Sequence, residues 1–299
     1  MRRGTPTALV AYVLWGLSPV FWRLGEGSAA SVLTFRILAT LIVVWALRGI
    51  RRLRSHRSVA PAPMTNWMAM ATSAVLLGSN WLLYLWAVGN ARVTEASLGY
   101  FLNPLVSVVL GVMVLRERLR VLQWLSIAVV GGGVIVLSVE VGAIPWISIG
   151  LAVSFGLYGL IRKTAAVGSL EGLSMEVAVL APVASVALVV LTGRGGGAAA
   201  VSAPWGWVWV VGTGVMTAVP LLLFADAARR IDLWLVGVLQ YVTPTLLFLL
   251  GVVVYGEPWR GGQVFGYAVI WLGLGAFGVE GVTAAHRVRA VDRSAGADA

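Results

Sequence analysis

The 299-residue sequence contains no cysteine, two histidines, a single lysine and only 11% charged residues. Without cysteine, neither a disulfide nor a thiolate metal site can form. His56 and His286 lie in arginine-rich polar segments, so no apolar segment carries a histidine that could serve as a general base or metal ligand. Lys163 follows Arg162 rather than glycine, so the sequence has no phosphate-binding P-loop motif. We therefore expect no metal or cofactor. Any process that needs energy would have to be driven by gradients across the membrane rather than by nucleotide hydrolysis.

What the sequence does contain is typical of a membrane protein, since 59% of its residues are hydrophobic and its mean hydropathy is +0.91. A helix needs roughly 20 mostly apolar residues to cross the hydrocarbon core. Ten such runs can be drawn, at about residues 6–24, 29–49, 66–88, 93–115, 119–139, 143–162, 172–192, 205–227, 232–255 and 261–281. The short loops between them make neighbouring helices antiparallel.

The sequence repeats itself after 140 residues. FLNPLVSVVLGVMVLRE at 101–117 returns as YVTPTLLFLLGVVVYGE at 241–257. The same offset aligns pairs of less common residues, namely Trp67 with Trp207, Pro104 with Pro244, Glu117 with Glu257 and Gln123 with Gln263. Because five helices per copy is an odd number, the second copy enters the membrane from the opposite side. The prediction is an all-α integral membrane protein of ten transmembrane helices in two inverted five-helix repeats, 5–140 and 141–282, with a cytoplasmic tail at 283–299.

Basic residues concentrate on one side of this predicted topology. With a cytoplasmic N-terminus, seventeen of the 22 lysines and arginines lie in cytoplasmic segments. The outer segments hold only Arg23, Arg92, Arg194 and Arg260, and Arg36 lies inside a span. This positive-inside bias predicts that both termini are cytoplasmic. It also accounts for the net charge of +10 without a nucleic-acid partner.

One alternative concerns the N-terminus, where MRR, an apolar run and GSAAS imitate a cleavable signal peptide. However, WGLSPVFWR at 15–23 has a counterpart, FGLYGLIRK, at 155–163, where no signal peptide could act. We therefore expect the first run to be a retained helix.

Three segments carry a resemblance to a known family. They are WGLSPVFWR, the block SNWLLYLWAVGNARVTEASLGYFLNPLVSVVLGVMVLRERLRVLQW from Ser79 to Trp124, and GVLQYVTPTLLFLLGVVVYGEPW in the second half. Over about residues 5–282 the sequence resembles the drug/metabolite transporter superfamily, and within it the EamA-type, RarD-like transporters. The resemblance implies ten helices in two inverted repeats, an inner-membrane location and alternating-access movement of small molecules. It does not name a substrate.

Two prolines interrupt apolar runs at equivalent positions. Pro104 frees the carbonyl of Tyr100 and Pro244 frees that of Gln240, because proline removes the usual donor four residues on. Near the membrane midplane such interruptions serve as hinges or binding groups, or else as packing kinks satisfied by neighbouring helices. The polar or small stripes beside them are Tyr100, Asn103, Ser107 and Gly111 on helix four, and Gln240, Thr243, Leu247 and Gly251 on helix nine. We predict that both stripes line a central cavity.

Arg36, about seven residues into the second span, is the repeat counterpart of Glu176 in the seventh. Charges at such depth are costly unless they are paired or face water. One interpretation is a structural ion pair between the two across the repeat interface. The other is that Arg36 binds a substrate carboxylate while Glu176 faces an amine or takes up a proton, which would suit an amino acid or another zwitterion.

Polar and aromatic residues complete the predicted substrate-binding set. Asn80 and Tyr84 cluster with Trp81 on helix three, and Tyr241 precedes Pro244 on helix nine. Asn80 needs amide partners inside a span, whereas tryptophans at helical spacing more often pack or form an interfacial belt. Glu117 and Glu257, at the ends of helices four and nine, are interpreted as structural residues in tight turns. Gly262 and Gly266 form a GxxxG pattern that could seat a helix of the same chain or of a second copy.

These patterns predict a secondary transporter of small organic metabolites or drugs. We expect it to be an exporter, with proton coupling as one option and a monomer or dimer as the assembly. An intramembrane enzyme would need a convergent constellation of catalytic side chains, which the spans do not contain. A channel lacks the repeated charge ring or filter motif. A transport-inactive scaffold or sensor of the same fold stays open.

Overall fold

The structure is a computed structural model that describes residues 4–24, 28–55, 63–90, 92–141, 146–193, 205–256 and 261–297. All regular elements in these ranges are helices, as a chain in lipid requires, because each helix pairs its own backbone donors and acceptors. They are α1 Gly4–Trp22, α2 Ala29–Ser55, α3 Met64–Gly89, α4 Val93–Met113, α5 Val121–Val141, α6 Trp146–Thr164, α7 Ser169–Gly193, α8 Gly206–Arg230, α9 Leu233–Gln240, α10 Val242–Leu249, a π-helical turn Leu250–Val254, and α11 Gly261–Ala297.

Among these described ranges, eight helical segments are long and apolar enough to cross a membrane. They are α1, α2, α3, α4, α5, α7, α8 and the segment Leu233–Val254, and α11 adds a shorter apolar stretch, Val264–Glu280. The all-helical membrane protein is thus confirmed, whereas ten membrane crossings stay a prediction. Beyond the last apolar stretch, α11 continues to Ala297, so the predicted tail at 283–299 begins as part of this helix.

Adding 140 to a residue number, or subtracting 140 from it, turns each observed helix–helix contact named below into another observed contact or into itself. The shift turns α1 into α6, α2 into α7, α3 into α8, α4 into α9 with α10, and α5 into α11. Under it, the packing of α1 on α8 becomes that of α6 on α3, and the packing of α4 on α6 becomes that of α10 on α1. The pairs α2–α7, α4–α9 and α5–α11 each become themselves.

Glycines show the same exchange in atomic contacts between α5 and α11. A Cβ added to Gly133 would lie 2.9 Å from the carbonyl oxygen of Gly266. A Cβ added to Gly273, the counterpart of Gly133, would lie 3.0 Å from the carbonyl oxygen of Ser126, the counterpart of Gly266. The predicted GxxxG residue Gly266 is therefore used to seat a helix of the same chain.

Alanine at Gly133 should weaken the α5–α11 contact. The new Cβ would meet Ile270 Cγ1 at 2.7 Å as well as the Gly266 carbonyl, and backbone cannot give way cheaply. Overpacking of this kind costs about 1–3 kcal/mol. The matched control is Gly132→Ala, where no atom lies within 4 Å and alanine favours the helix by up to about 1 kcal/mol. Melting temperatures in detergent should fall for the first variant and not for the second. Equal melting temperatures would contradict this close packing.

The bundle has two chemically different faces. At one, the ends of α2 and α6 bring Arg51 within 3.1 Å of Glu171 and Lys163 within 3.4 Å of Glu117. We call this end, where α2, α4, α6 and α8 finish, the basic face. At the opposite face, the end of α1 meets the start of α8, and the ring of Phe21 stacks on that of Trp209 with centroids 6.1 Å apart.

Candidate functional site

The guanidinium of Arg36 is held by α8 and by two tryptophan rings. Its Nε donates to Thr217 Oγ1 at 2.7 Å, and that hydroxyl donates in turn to the Thr213 carbonyl. The guanidinium carbon lies 4.4 Å from the Trp81 ring centroid and 5.3 Å from that of Trp22. No carboxylate of the described residues lies within ion-pair distance of it. Within the described ranges the charge is therefore stabilised by ring faces and one hydroxyl rather than by a counter-ion.

Two tyrosines extend this arrangement from α3 and α4. The rings of Tyr84 and Tyr100 meet edge to face with centroids 6.2 Å apart. Both lie close enough to Arg36 to interact electrostatically with it. The Tyr84 side chain remains 39% exposed, whereas Arg36 itself is only partly exposed.

We call this group the Arg36 site; its members are Trp22, Arg36, Trp81, Tyr84, Tyr100 and Thr217. They come from α1, α2, α3, α4 and α8, so helices of both predicted repeats contribute. In the part of the chain that the structure describes, only the Nε of the guanidinium has a hydrogen-bond partner. The remaining donors form a fork that suits a carboxylate or phosphate, and the rings suit an apolar or aromatic body. These groups suit an organic anion, and substrate binding by Arg36, Tyr84 and Tyr100 stays a prediction.

Asn80 and Asn103 use their amides to fasten neighbouring helices to α6. Asn80 Nδ2 donates to the Leu151 carbonyl and to Ser154 Oγ, both at 2.9 Å. With its amide oriented to donate, Asn103 reaches the carbonyls of Leu151 at 3.3 Å and Ala152 at 3.1 Å. In this conformation both predicted ligands are engaged in helix packing, and a direct role with substrate stays a prediction.

Partly and fully buried aromatic rings lie between the Arg36 site and the basic face. Trp15 and Phe155, which are repeat counterparts, pack with centroids 5.8 Å apart, and Tyr158 stacks on Phe224 at 5.8 Å. Phe224 follows Thr217 by seven residues on α8, about 10 Å nearer to the basic face. Tyr158 and Phe224 are 0% and 2% exposed. The interior is consequently closed on the basic side of the Arg36 site.

Glu176 lies on that closed side and is completely buried. Its Oε1 accepts a hydrogen bond from Ser73 Oγ at 2.6 Å and lies 3.6 Å from Arg162 Nη1. The predicted ion pair between Arg36 and Glu176 is therefore wrong for this structure, in which Glu176 pairs with Arg162. The physical reason lies at Gly172, where an added Cβ would collide with Arg162 Nη1. Glycine leaves the space that lets Arg162 turn inward from the end of α6.

The ninth span is interrupted where the sequence predicts it. α9 ends at Gln240 and α10 begins at Val242, because Pro244 offers no donor to the Gln240 carbonyl. Within the described residues the side-chain Oε1 of Gln240 is also buried without a partner. By contrast, α4 runs through Pro104 without a break. That the two prolines act as hinges stays a prediction.

The predicted polar stripes lie against other helices in this conformation. Tyr241 donates its hydroxyl hydrogen to the carbonyl of Phe101, its repeat counterpart, at 3.1 Å. A Cβ at Gly237 would lie 2.9 Å from Ser107 Cβ, and one at Gly111 would lie 3.0 Å from a backbone nitrogen of α9. α4 and α9 thus cross closely, and a cavity lined by these stripes stays a prediction for another conformation.

Glu117 joins the two halves at the basic face. Its Oε1 and Oε2 accept hydrogen bonds from the backbone nitrogens of Leu233 at 2.8 Å and Trp234 at 3.0 Å, at the start of α9. Lys163 lies 3.4 Å from Oε1 and also donates to the Ile231 carbonyl at 2.5 Å. This agrees with the structural role predicted for Glu117. Its predicted counterpart Glu257 lies outside the described residues.

Several partners in these contacts were not singled out from the sequence. In the sequence, Thr217 and Ser73 each look like an ordinary polar residue in an apolar helix. Arg162 lies in the last turn of α6, where the sequence indicates a basic residue at the cytoplasmic end of a span. One available signal was the glycine at 172, ten residues beyond Arg162, but only the fold shows that the two meet.

Comparison with known proteins gives a consistent result. The family model described as the EamA-like transporter family matches residues 2–139. The chain is 38% identical over 290 residues to an uncharacterized transporter of Vibrio cholerae, with 96% of each chain covered. It is 39% identical to an uncharacterized transporter of Pseudomonas aeruginosa, covering 93% of each, and 38% identical to the protein RarD of Escherichia coli, covering 96% of this chain and 97% of the other.

A crystal structure of another protein shares the fold. It superposes with a TM-score of 0.68, covering 92% of this chain and 97% of that one, at 20% sequence identity. At this identity the likeness concerns the fold alone. Together with the apolar helices, the long alignments at 38–39% identity lead to one conclusion. The chain belongs to the RarD-like transporters of the EamA family, within the drug/metabolite transporters, and is a multi-pass membrane protein.

Proposed function

We propose that the protein is a secondary transporter that exports a small organic metabolite or drug across the bacterial inner membrane by alternating access. The observation that carries the proposal is Arg36, a cation without a counter-ion among the described residues, surrounded by aromatic rings in a site assembled from both halves. Its substrate carries a carboxylate or comparable anion beside an apolar or aromatic body, as many amino acids do.

The exchange of contacts under a shift of 140 residues supports two inverted repeats. Counterpart residues touch each other at Trp15 with Phe155 and at Phe101 with Tyr241. A residue touches its own counterpart only where both lie near a two-fold axis. Such an axis in the membrane plane lets one repeat rock against the other, which is the movement of alternating access.

The distribution of charge supports the orientation. The basic face carries arginine or lysine at the ends of α2, α6 and α8. By the positive-inside rule this face is cytoplasmic, and both termini lie in the cytoplasm. In this proposal the Arg36 site lies on the periplasmic side of the aromatic rings, and the contacts of Glu117 lie on the cytoplasmic side.

Transport itself can be tested with purified protein in liposomes. We expect a mixture of labelled amino acids and aromatic carboxylates loaded into these liposomes to lose particular compounds faster than protein-free liposomes do. The matched variant is Arg36→Gln, which should remove that selective efflux. If folded protein releases none of the compounds faster than protein-free liposomes, the alternative of a transport-inactive scaffold or sensor is favoured.

A further inference from the structure

A second charged cluster lies between the aromatic core and the basic face. It consists of Glu176 from α7, Arg162 and Tyr158 from α6, and Ser73 from α3. All four are at most 1% exposed. Three of their polar atoms, Glu176 Oε2, Arg162 Nε and the Tyr158 hydroxyl, are buried with no hydrogen-bond partner among the described residues. Burying so many unpaired polar atoms is costly, so the cluster is incomplete in this state.

The carboxylate is the weakly satisfied member of the ion pair. A buried ionised carboxylate needs several donors, whereas Glu176 receives one hydrogen bond, from Ser73 at 2.6 Å. At 3.6 Å the guanidinium of Arg162 attracts it without a hydrogen bond. Its second oxygen has no donor among the residues described.

Arg162 is held in place independently of Glu176. Its Nη1 lies 3.1 Å from Met70 Sδ, and its Nη2 donates to the Ser169 carbonyl at 3.1 Å. The space opened by Gly172 fixes the guanidinium between α6 and α7. Neutralising Glu176 therefore removes one attraction but leaves the guanidinium anchored. The ion pair can be switched off without dismantling its surroundings.

The neighbouring helices bring no further charge to Glu176 in the described structure. From α6 it faces Arg162 and the hydroxyl of Tyr158, which interacts with it electrostatically, and from α3 the hydroxyl of Ser73. The basic residues nearby on α2 and α8 are engaged elsewhere. Arg51 pairs with Glu171 at 3.1 Å, and Arg229 donates to the Val167 carbonyl.

We propose that Glu176 is the proton-binding residue that couples transport to the proton gradient, an inference that rests on the proposed function. A hydronium ion gives its proton to the free Oε2: one O–H bond of the hydronium breaks, the O–H bond of the neutral carboxyl forms, and a water molecule is released.

Protonation of Glu176 is expected to shift the equilibrium between states that are closed and open at the basic face. Ionised Glu176 attracts Arg162 and accepts from Ser73, and so draws α3, α6 and α7 together beside the basic face. These contacts replace only part of the water that the ionised carboxylate would regain if the basic face opened, whereas a neutral carboxyl is cheaper to keep buried. Acidification should therefore lower the fraction of protein that is open at the basic face, by at most about tenfold per pH unit for one proton.

The test measures a distance across the basic face in the full-length protein. Spin labels are attached to Thr65→Cys at the start of α3 and Thr164→Cys at the end of α6, both exposed. The absence of native cysteine gives a clean background. In electron paramagnetic resonance, lowering the pH should move the population toward the shorter distance, which corresponds to the closed basic face. Glu176→Gln should show the shorter distance at every pH and lose the pH response.

The matched control is Glu171→Gln, on the same helix but half exposed and paired with Arg51. This variant should keep the pH response of the parent protein. A pH response that persists in Glu176→Gln, or that disappears in Glu171→Gln alone, overturns the proposal. Should Glu176→Gln not fold, Ser73→Ala serves instead. Removing a donor to the ionised form should move the midpoint of the response to higher pH, and an unchanged midpoint overturns the proposal.

These outcomes can be separated from failure of the proposed transport function. Arg36→Gln should abolish selective efflux yet keep the pH response of the spin-label distance. If efflux depends on Arg36 but the pH response of the spin-label distance does not depend on Glu176, the proposed transport function is supported and the proposed proton site is overturned. If no efflux occurs and the spin-label distance still responds to pH in a way that depends on Glu176, the proton-dependent movement is supported and the proposed transport function is overturned.

Discussion

Replacing Glu117 with alanine is expected to cause the largest loss of stability among the ion-pair substitutions considered. The change removes the acceptor for two backbone nitrogens at the start of α9 and leaves Lys163 without its carboxylate. The side chains of Glu117 and Lys163 are only 10% and 18% exposed. Breaking a buried pair by removing one partner costs roughly 3–5 kcal/mol. The melting temperature of the detergent-solubilised protein should fall accordingly.

The control for this loss is Asp226→Ala. Asp226 pairs with Arg230 one turn further along α8, and their side chains are 33% and 51% exposed. Exposed pairs of this kind contribute about 0–1 kcal/mol, so this melting temperature should hardly move. Glu117→Gln keeps one acceptor oxygen, so its melting temperature should lie between those of Glu117→Ala and Asp226→Ala. If Glu117→Ala melted at the temperature of Asp226→Ala, the contacts of Glu117 at the basic face would not contribute to stability as we argue.

Replacing Arg36 with leucine should remove transport without lowering stability. An arginine inside a span costs about 2.5–3.5 kcal/mol on the insertion scale, and each contact with a tryptophan ring returns about 0.5–2 kcal/mol. The two terms nearly cancel, and Thr217 keeps its own bond to the Thr213 carbonyl. We expect an unchanged or higher melting temperature. Substrate affinity should fall roughly 10- to 150-fold, as for loss of a charge-assisted hydrogen bond.

Arg36→Lys separates charge from geometry at the same position. Lysine keeps the positive charge but loses the planar fork and the broad contact with the rings of Trp22 and Trp81. Its affinity should lie between that of the parent protein and that of Arg36→Leu. A large drop in the melting temperature of Arg36→Leu with unchanged transport would instead make Arg36 a structural residue.

Much of the architecture could be predicted because the second half of the sequence repeats the first. The 140-residue register anticipates that Gly133 and Gly273 take equivalent positions where α5 and α11 cross. The interruption before Pro244 follows directly from the missing donor of proline. These features depend on local chemistry or on spacing, and both can be read along the chain.

Other features depend on which conformation the protein adopts. Pro104 and Pro244 are equivalent in sequence, yet only the second accompanies a broken helix. In the inverted-repeat arrangement that we propose, the two halves cannot have the same local geometry in one asymmetric conformation, and the sequence does not say which half is distorted. The partner of Glu176 was hidden for a different reason. Arg162 ends a helix, where arginine usually anchors topology, and only tertiary packing turns it inward.

The most direct measurement of the central claim is labelling of Tyr84→Cys with a membrane-impermeant maleimide in oriented vesicles. Tyr84 is the most exposed member of the Arg36 site, and the native protein has no competing thiol. Our account predicts labelling from the side opposite the basic face, slowed by the transported compound only when Arg36 is present. Labelling that no transported compound slows, or slowing that persists in Arg36→Gln, would contradict it.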